Sequence, residues 1–139
     1  MPVTSRIRVR YAETDQMGVV YYANYFVWFE IGRVEVLRAM GLSYDRMEKD
    51  HGLILPVADA SCRYKLPAKY DDEILIETRP SLLRGSVLKF AYRILRNGTE
   101  GAEPVLLAEG ETAHFVCDEN FERRLLPEEY AAALRNLME

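Results

Sequence analysis

Asp15 stands out among the residues that could do chemistry because it lies one short loop before a strongly apolar segment. The sequence from Glu13 to Gly18 is an acidic turn, and a short link, Val19 to Tyr22, joins it to a helix predicted to begin near Ala23. A helix N-terminus presents free backbone N–H groups and a partial positive charge, which can hold an anion or a developing oxyanion. A carboxylate beside such donors is a candidate catalytic pair.

A second interpretation of Asp15 stays open from the residues alone. Asp followed by Gly three residues later, as in Asp15 and Gly18, is ordinary turn chemistry, in which the carboxylate accepts a local backbone hydrogen bond. Glu30 is the alternative carboxylate, and it lies three residues before Arg33, at pairing distance on one helix face. We predict a buried structural pair between these two side chains.

The helix that carries the donors is predicted to run from Ala23 to Met40. Asn24 is the candidate N-cap, and Gly41 is placed to stop the helix. The first half is apolar on every side, which is typical of a buried helix. Gly32 costs this helix roughly 1 kcal/mol relative to Ala, so we expect a strand to approach closely there.

The other segments alternate in hydrophobicity or carry turn residues. They predict a first strand (residues 5–11) and a short helix capped by Ser43 (42–49). Four strands in a meander follow (53–66, 73–83, 86–96 and 104–116), and then a turn (117–120) and a C-terminal helix (128–138). Gly110 is a candidate bulge. This order is not the strand–helix alternation of a parallel sheet. It predicts one α+β domain over residues 1–139, with an antiparallel sheet of about five strands curled around one long helix.

The histidines and cysteines do not form a metal-ligand set by spacing. His51 is expected at the surface of a turn, and His114 is expected to be a hydrogen-bonded strand residue. Cys62 and Cys117 lie in strand-like contexts, which indicates free thiols in a reducing compartment. We therefore predict that no metal is bound.

The composition favours a single soluble domain and argues against nucleic acid and a membrane as partners. Of 139 residues, 49% are hydrophobic, and 18 basic against 22 acidic residues give a net charge of −4, which offers no broad footprint for nucleic acid. The arginines of the first strand are expected to form its solvated face. The apolar run from Val19 to Phe29 is too short to span a bilayer, and Met1 to Arg10 has no signal-peptide pattern. We predict a cytoplasmic protein.

Two segments carry a resemblance to a known family. Asp15-Gln16-Met17-Gly18-Val19-Val20-Tyr21-Tyr22-Ala23-Asn24-Tyr25 and the supporting segment Tyr70 to Thr78 resemble the 4-hydroxybenzoyl-CoA thioesterase branch of the hotdog-fold acyl-CoA thioesterases. The order of elements fits over nearly the whole chain. The resemblance implies a hotdog fold and hydrolysis of an acyl-CoA thioester without a cofactor.

The resemblance also implies roles for individual residues. Asp15 would act as general base or as nucleophile, and the sequence does not choose between these. The backbone N–H of Tyr22 would polarise the thioester carbonyl. The substrate contacts are then expected at Gly18, Val19, Tyr25 and Arg84. Arg84 lies where relatives contact the nucleotide, but it is followed by Gly85 and Ser86, where some relatives have further basic residues.

Two other functions compete with an acyl-CoA thioesterase. A thioesterase acting on acyl-carrier protein would use the same buried chemistry, because both carriers share the pantetheine arm. A non-catalytic acyl-thioester-binding module is the third hypothesis, and the presence of Asp15 and Gly18 argues against it. A homodimer or homotetramer is expected, since the resemblance implies pairing of domains and a small open sheet has edges that can pair.

Overall fold

A five-stranded antiparallel sheet forms the body of the protein. The computed structural model describes residues 2–138, so the two terminal residues of the predicted domain lie outside it. The strands of the sheet are β1 (Val3–Arg8), β3 (Val57–Tyr64), β4 (Glu73–Arg84), β5 (Val87–Arg96) and β6 (Val105–Phe115), in the spatial order β1-β4-β5-β6-β3. A separate two-stranded pair joins β2 (Leu53–Ile54) to β7 (Cys117–Asp118).

The helices are α1 (Asn24–Ala39), α2 (Tyr44–His51) and α3 (Glu128–Met138). Ser43 caps α2 as predicted, since its side chain accepts a hydrogen bond from the backbone N–H of Arg46. Asn24 is not the N-cap of α1, because Ala23 holds that position with helical backbone angles. The Asn24 side chain instead donates a 2.9 Å hydrogen bond to the carbonyl of Glu13.

The sheet and α1 enclose the main core between them. Its largest fully buried side chains from these elements are Trp28, Phe29, Ile74, Ile76, Leu88, Phe90, Tyr92, Ile94 and Leu107. The phenyl ring of Phe29 stacks on Tyr92 with 4.2 Å between ring centroids. One helix packed on an antiparallel sheet confirms the predicted α+β class.

Close approach between α1 and β4 explains Gly32, as predicted. A Cβ at Gly32 would contact the Thr78 hydroxyl oxygen and lie 2.9 Å from Cγ2 of Ile76. Burial of α1 on every side was wrong, because Val27 remains 50% exposed. The helix lies on one face of the sheet, so its opposite side stays open.

Several predicted boundaries were wrong for identifiable reasons. The first strand ends at Arg8, and Tyr11 lies in a short 3₁₀ turn with its ring exposed against Tyr70. The segment 53–66 divides into β2 and β3, which join different sheets. The predicted turn at residues 117–120 begins with β7. The four strands are not a simple meander, because β3 pairs with β6 at the edge of the sheet.

Gly110 is not a bulge, since the pairing of β6 with both neighbours is regular at that residue. A Cβ there would meet the ring of Phe29 and would lie 2.6 Å from the carbonyl oxygen of Ser61. Glycine is needed because α1 sends an aromatic ring directly onto the strand.

Candidate active site

The turn that carries Asp15 is built by its own hydrogen bonds. The Asp15 N–H donates to the carbonyl of Val19 at 2.9 Å, and Oδ1 of Asp15 accepts from the N–H of Met17 at 2.9 Å. Gly18 has φ of +80° and donates its N–H to the Asp15 carbonyl, which is the conformation that glycine tolerates best. The turn interpretation of Asp15 is therefore confirmed. Within the described residues, Oδ2 of Asp15 has no hydrogen-bond partner, so half of the carboxylate remains unengaged.

In the link between the turn and α1, the N–H groups of Val19, Tyr22 and Ala23 have no acceptor among the described residues. Val20 donates its N–H to the carbonyl of Ala68 at 2.8 Å, and Tyr21 donates to Glu13 at 2.9 Å. The next N–H, that of Tyr22, has no acceptor in residues 2–138. Tyr22 lies two residues before Asn24, the first residue of α1, where the helix dipole adds partial positive charge.

Asp15 and Tyr22 line one surface cleft of about 310 Å³. The residues around it are Asp15, Met17, Val19, Val20, Tyr22, Tyr25, Tyr64, Lys65, Leu66 and Pro67. The structure thus brings together four of the predicted site residues, since Val19 and Tyr25 also border the cleft. Its wall is largely apolar, and one carboxylate opens onto it.

Gly18 and Arg84 do not line this cleft. A Cβ at Gly18 would touch nothing within 4 Å, so the residue serves the turn conformation. Arg84 ends the 12-residue strand β4, whereas the cleft lies near the start of that strand. At about 3.3 Å per residue the two ends are roughly 35 Å apart. Within one chain, Arg84 therefore lies far from Asp15 and is not part of the cleft wall.

Tyr64 belongs to the cleft, although nothing in the sequence pointed to it. Its hydroxyl donates a 2.9 Å hydrogen bond to the carbonyl of Tyr22, and its ring meets Tyr22 and Tyr25 edge to face. Tyr64 is the last residue of β3 and lies 42 residues from Tyr22 in the chain. Such a contact depends on how β3 crosses the sheet, which local periodicity does not show.

Burial keeps the phenols of Tyr25 and Tyr64 neutral, because it raises the pKa of each. A hydrogen bond with Cys62 adds to the rise in the pKa of Tyr64. The Tyr25 hydroxyl accepts from the N–H of Ala68 at 3.3 Å, which fixes its ring in the wall of the cleft.

Glu30 lies in a different hollow, of about 570 Å³, with Arg33, Tyr44 and Leu55 among its walls. The predicted buried pair with Arg33 is wrong, because Glu30 is exposed and no ion pair joins the two side chains within the described residues. Burial raises the pKa of the Tyr44 phenol, and the nearby guanidinium of Arg33 opposes that rise. Arg33 thus lies close to the Tyr44 phenol in this hollow.

The remaining candidate side chains have structural surroundings. His114 is fully buried, with Nε2 2.8 Å from the Thr112 hydroxyl and Nδ1 3.1 Å from the carbonyl of Leu55, as predicted for a strand histidine. His51 is exposed at the end of α2. Cys62 and Cys117 are free thiols. Across residues 2–138, no group of three or more His, Cys, Asp or Glu side chains is placed to hold a metal ion.

The arginines of β1 lie on its exposed face, as expected. Arg6 and Arg8 pair with Glu73, at 3.0 Å and 3.5 Å between nitrogen and oxygen. In the described part of the chain, no helix is both long and apolar enough to cross a bilayer.

Comparison with known proteins places this arrangement in a family. Residues 9–134 match the model of the thioesterase-like superfamily. The acyl-CoA thioester hydrolase YbgC of Escherichia coli O6:H1 is 32% identical over 130 residues, which are 93% of this chain and 92% of YbgC. The Bacillus subtilis protein YneP is 43% identical over 88 residues, so the match spans 63% of each protein. A crystal structure of a 4-hydroxybenzoyl CoA thioesterase mutant shares the fold, with a TM-score of 0.87 at 20% identity over 96% of this chain and 98% of that one.

Proposed function

The chain belongs to the thioesterase-like superfamily, and we propose that it is an acyl-CoA thioesterase that releases a free acid and coenzyme A, with Asp15 and the Tyr22 N–H as its catalytic groups. One observation carries the proposal. The unengaged half of the Asp15 carboxylate and the unpaired N–H of Tyr22 border the same apolar cleft. The name of the relative YbgC supports an acyl-CoA substrate.

Each group has a separate task in thioester hydrolysis. The thioester carbonyl would accept a hydrogen bond from the Tyr22 N–H, and the α1 dipole would stabilise negative charge on that oxygen as the carbonyl carbon is attacked. Asp15 would take the proton of an attacking water, or attack the carbonyl itself. Water finally supplies the oxygen of the acid, and the thiol of coenzyme A leaves. The base and nucleophile roles are both compatible with the geometry.

The hydrogen bond from Met17 orients the attacking group. Because Oδ1 of Asp15 is held by the Met17 N–H, the carboxylate cannot rotate freely and Oδ2 keeps one direction. No metal or cofactor takes part in this scheme.

We propose that the working unit is a homodimer or homotetramer. All but one of the eight residues of β3 are exposed, and the outer edge of this strand has no partner within the described chain. An open edge of this kind pairs readily with another strand. If two copies paired antiparallel along β3, the Arg84 end of one sheet would lie toward the Tyr64 end of the other. That arrangement offers Arg84 a route to the nucleotide that one chain alone does not.

Replacing Asp15 by Asn tests the catalytic assignment. Asn keeps the size and the turn acceptor but removes the charge, so neither base nor nucleophile survives. We expect turnover of the best acyl-CoA to fall ~10²–10⁴-fold, which corresponds to about 3–5 kcal/mol of barrier. The melting temperature should stay close to wild type, since the local hydrogen bond contributes only about 1 kcal/mol and Asn can still accept it.

Asp118 provides a matched control. Its Oδ1 accepts from the N–H of Asn120 at 2.9 Å, the same two-residue turn bond that Asp15 makes with Met17. Asp118→Asn should therefore keep full turnover. A well-folded Asp15→Asn protein with normal turnover would eliminate the catalytic assignment, and Glu30 would be the next carboxylate to replace.

The competing functions are separated by measuring thiol release. A panel of acyl chains should be presented on coenzyme A and on acyl-carrier protein, with free thiol detected by a chromogenic reagent. We expect release from the coenzyme A series. Faster release from the carrier protein would move the substrate to that class, and binding without release would identify a non-catalytic module. The cytoplasmic location remains a prediction, to be checked by fractionation.

A further inference from the structure

Glu13 is a buried carboxylate that the proposed reaction does not use. It lies two residues before Asp15 and is only 6% exposed. Its Oε2 accepts a 2.9 Å hydrogen bond from the indole N–H of Trp28, and its Oε1 accepts a 2.8 Å hydrogen bond from the backbone N–H of Arg10. Trp28 itself is fully buried in α1. Both oxygens of the carboxylate are thus occupied by fixed donors, and the exposed Arg10 guanidinium lies 3.6 Å away.

The backbone of Glu13 is tied to the same region. Its carbonyl accepts from the N–H of Tyr21 at 2.9 Å and from the side-chain amide of Asn24 at 2.9 Å. Tyr21 immediately precedes Tyr22, whose N–H is unpaired, and Asn24 is the first residue of α1. Glu13 therefore contacts the segment before the Asp15 turn, the link after it and the helix itself.

Stability is a weak explanation for this arrangement. Burying a carboxyl group carries a desolvation cost that its hydrogen bonds must first offset. What the four hydrogen bonds define is geometry. The turn with Asp15 and the first turn of α1 are held at one separation and one orientation.

We infer that Glu13 is a positioning residue for the thioesterase reaction, and this inference rests on the proposed function. Glu13 sets the Asp15 carboxylate against the Tyr22 N–H by joining the turn to α1 through Trp28 and Asn24. A displacement of about 1 Å between reacting groups can cost ~10²-fold in rate. Glu13 acts without touching the substrate.

The replacement Glu13→Gln tests the inference because it preserves shape. A glutamine side chain has one acceptor oxygen and one NH₂ group, so it cannot accept from both Trp28 and Arg10. We expect kcat to fall roughly 10- to 100-fold, with KM for the same acyl-CoA changed by no more than about threefold. The fall should persist after correction for the folded fraction measured by circular dichroism.

A second variant keeps the inference testable if Glu13→Gln folds poorly. Trp28→Phe retains an aromatic ring in the core but lacks the indole N–H, so it breaks the link on the helix side. We expect kcat to fall in this variant as well. The double variant should be no slower than Glu13→Gln alone, because both changes act on the same connection, the hydrogen bond between Trp28 and Glu13. Unchanged kcat per folded molecule in both single variants would overturn the positioning role.

Glu111→Gln is the control for a generic loss of one carboxylate. Glu111 is exposed on β6 and pairs with Lys89 at 3.7 Å. This variant should keep wild-type kcat and KM. The two proposals fail separately: an active Asp15→Asn protein contradicts the function, whereas an inactive Asp15→Asn protein together with fully active Glu13→Gln and Trp28→Phe proteins contradicts only the positioning role.

Discussion

At the scale of single residues, Asp15 fits both interpretations that its sequence context allowed. One carboxylate oxygen makes the turn bond expected from Asp followed by Gly, and the other is free at the cleft. The two roles do not compete, because a carboxylate has two oxygens with about four acceptor positions. A turn bond is therefore no argument against a catalytic aspartate. The turn bond limits rotation of the Asp15 carboxylate, which helps to hold the other oxygen in one direction.

His114 should make the stability of the fold depend on pH. Burial lowers the pKa of its imidazole, and the Arg33 guanidinium adds to this effect. The unfolded chain takes up a proton as the pH falls through about 6.5, whereas the folded chain resists it. Stability is therefore retained above that pH and lost below it, toward the lower pKa of the folded state.

The measurement is the melting temperature between pH 7.5 and 5.5, values chosen to bracket the ordinary pKa of about 6.5. We expect a shallower decline in His114→Gln than in wild type, whatever its starting stability. His51→Gln, which changes an exposed imidazole, should keep the wild-type slope. Parallel declines in all three proteins would show that His114 does not contribute.

Glu13 and Tyr64 mark the limit of prediction for single residues. The motif around Asp15 and Gly18 is local, so the turn, the link and the start of the helix could be predicted from spacing. The burial of Glu13 depends on Trp28, one helix turn inside α1, and the place of Tyr64 depends on strand pairing. Neither residue differs in type or neighbours from an ordinary surface Glu or strand Tyr.

At the scale of elements, α1 and β4 show how a glycine in the sequence can indicate a close contact with a distant part of the chain. Gly32 was predicted to allow close approach because it is costly inside a helix, and the inference holds. The same logic placed a bulge at Gly110, where the actual cause is again a contact with α1 through Phe29. Glycine inside a helix has few structural explanations, whereas glycine inside a strand has several. The cause of Gly32 could therefore be predicted from the sequence, and the cause of Gly110 could not.

Gly32→Ala should destabilise the protein in spite of a better helix former. The added methyl favours the helix by about 1 kcal/mol, but overpacking against Thr78 and Ile76 costs typically about 1–3 kcal/mol. We expect a net loss in urea unfolding, with the m-value unchanged. Thr78→Ala removes the nearest atom, so the double variant should recover part of the loss. A stabilised Gly32→Ala protein would show that the helix can move away from β4.

At the scale of the whole molecule, the order of elements was predictable but the strand partners were not. Hydrophobic alternation located the main strands, and the C-terminal helix begins and ends where expected. The division of residues 53–66 into two strands was missed, because β2 is only the two residues Leu53–Ile54 and is too short to show a pattern of its own. Their separation follows from pairing with β7 and β6, whose residues lie 44 to 65 positions further along the chain.

The exposed strand β3 should govern assembly. Ala60→Glu places a carboxylate in the middle of the open edge, and two copies related by a twofold axis would bring these charges together, which disfavours pairing. We expect light scattering to show a dimer or tetramer for wild type and a shift toward monomer for the variant. Glu111→Gln serves again as the control. A fully active wild-type monomer at assay concentration would contradict the proposed assembly.

The hydrogen bond from Tyr64 to the carbonyl of Tyr22 gives that assembly a consequence for kinetics. Tyr64 ends the open strand, and the same phenol braces the peptide beside the proposed oxyanion donor. Pairing of two copies along β3 would therefore also restrict the motion of the Tyr22 peptide. Specific activity should then depend on enzyme concentration, falling on dilution below the dissociation constant of the assembly. A Tyr64→Phe protein, which lacks the hydroxyl, should lose much of this dependence because its centre is already relaxed at high concentration.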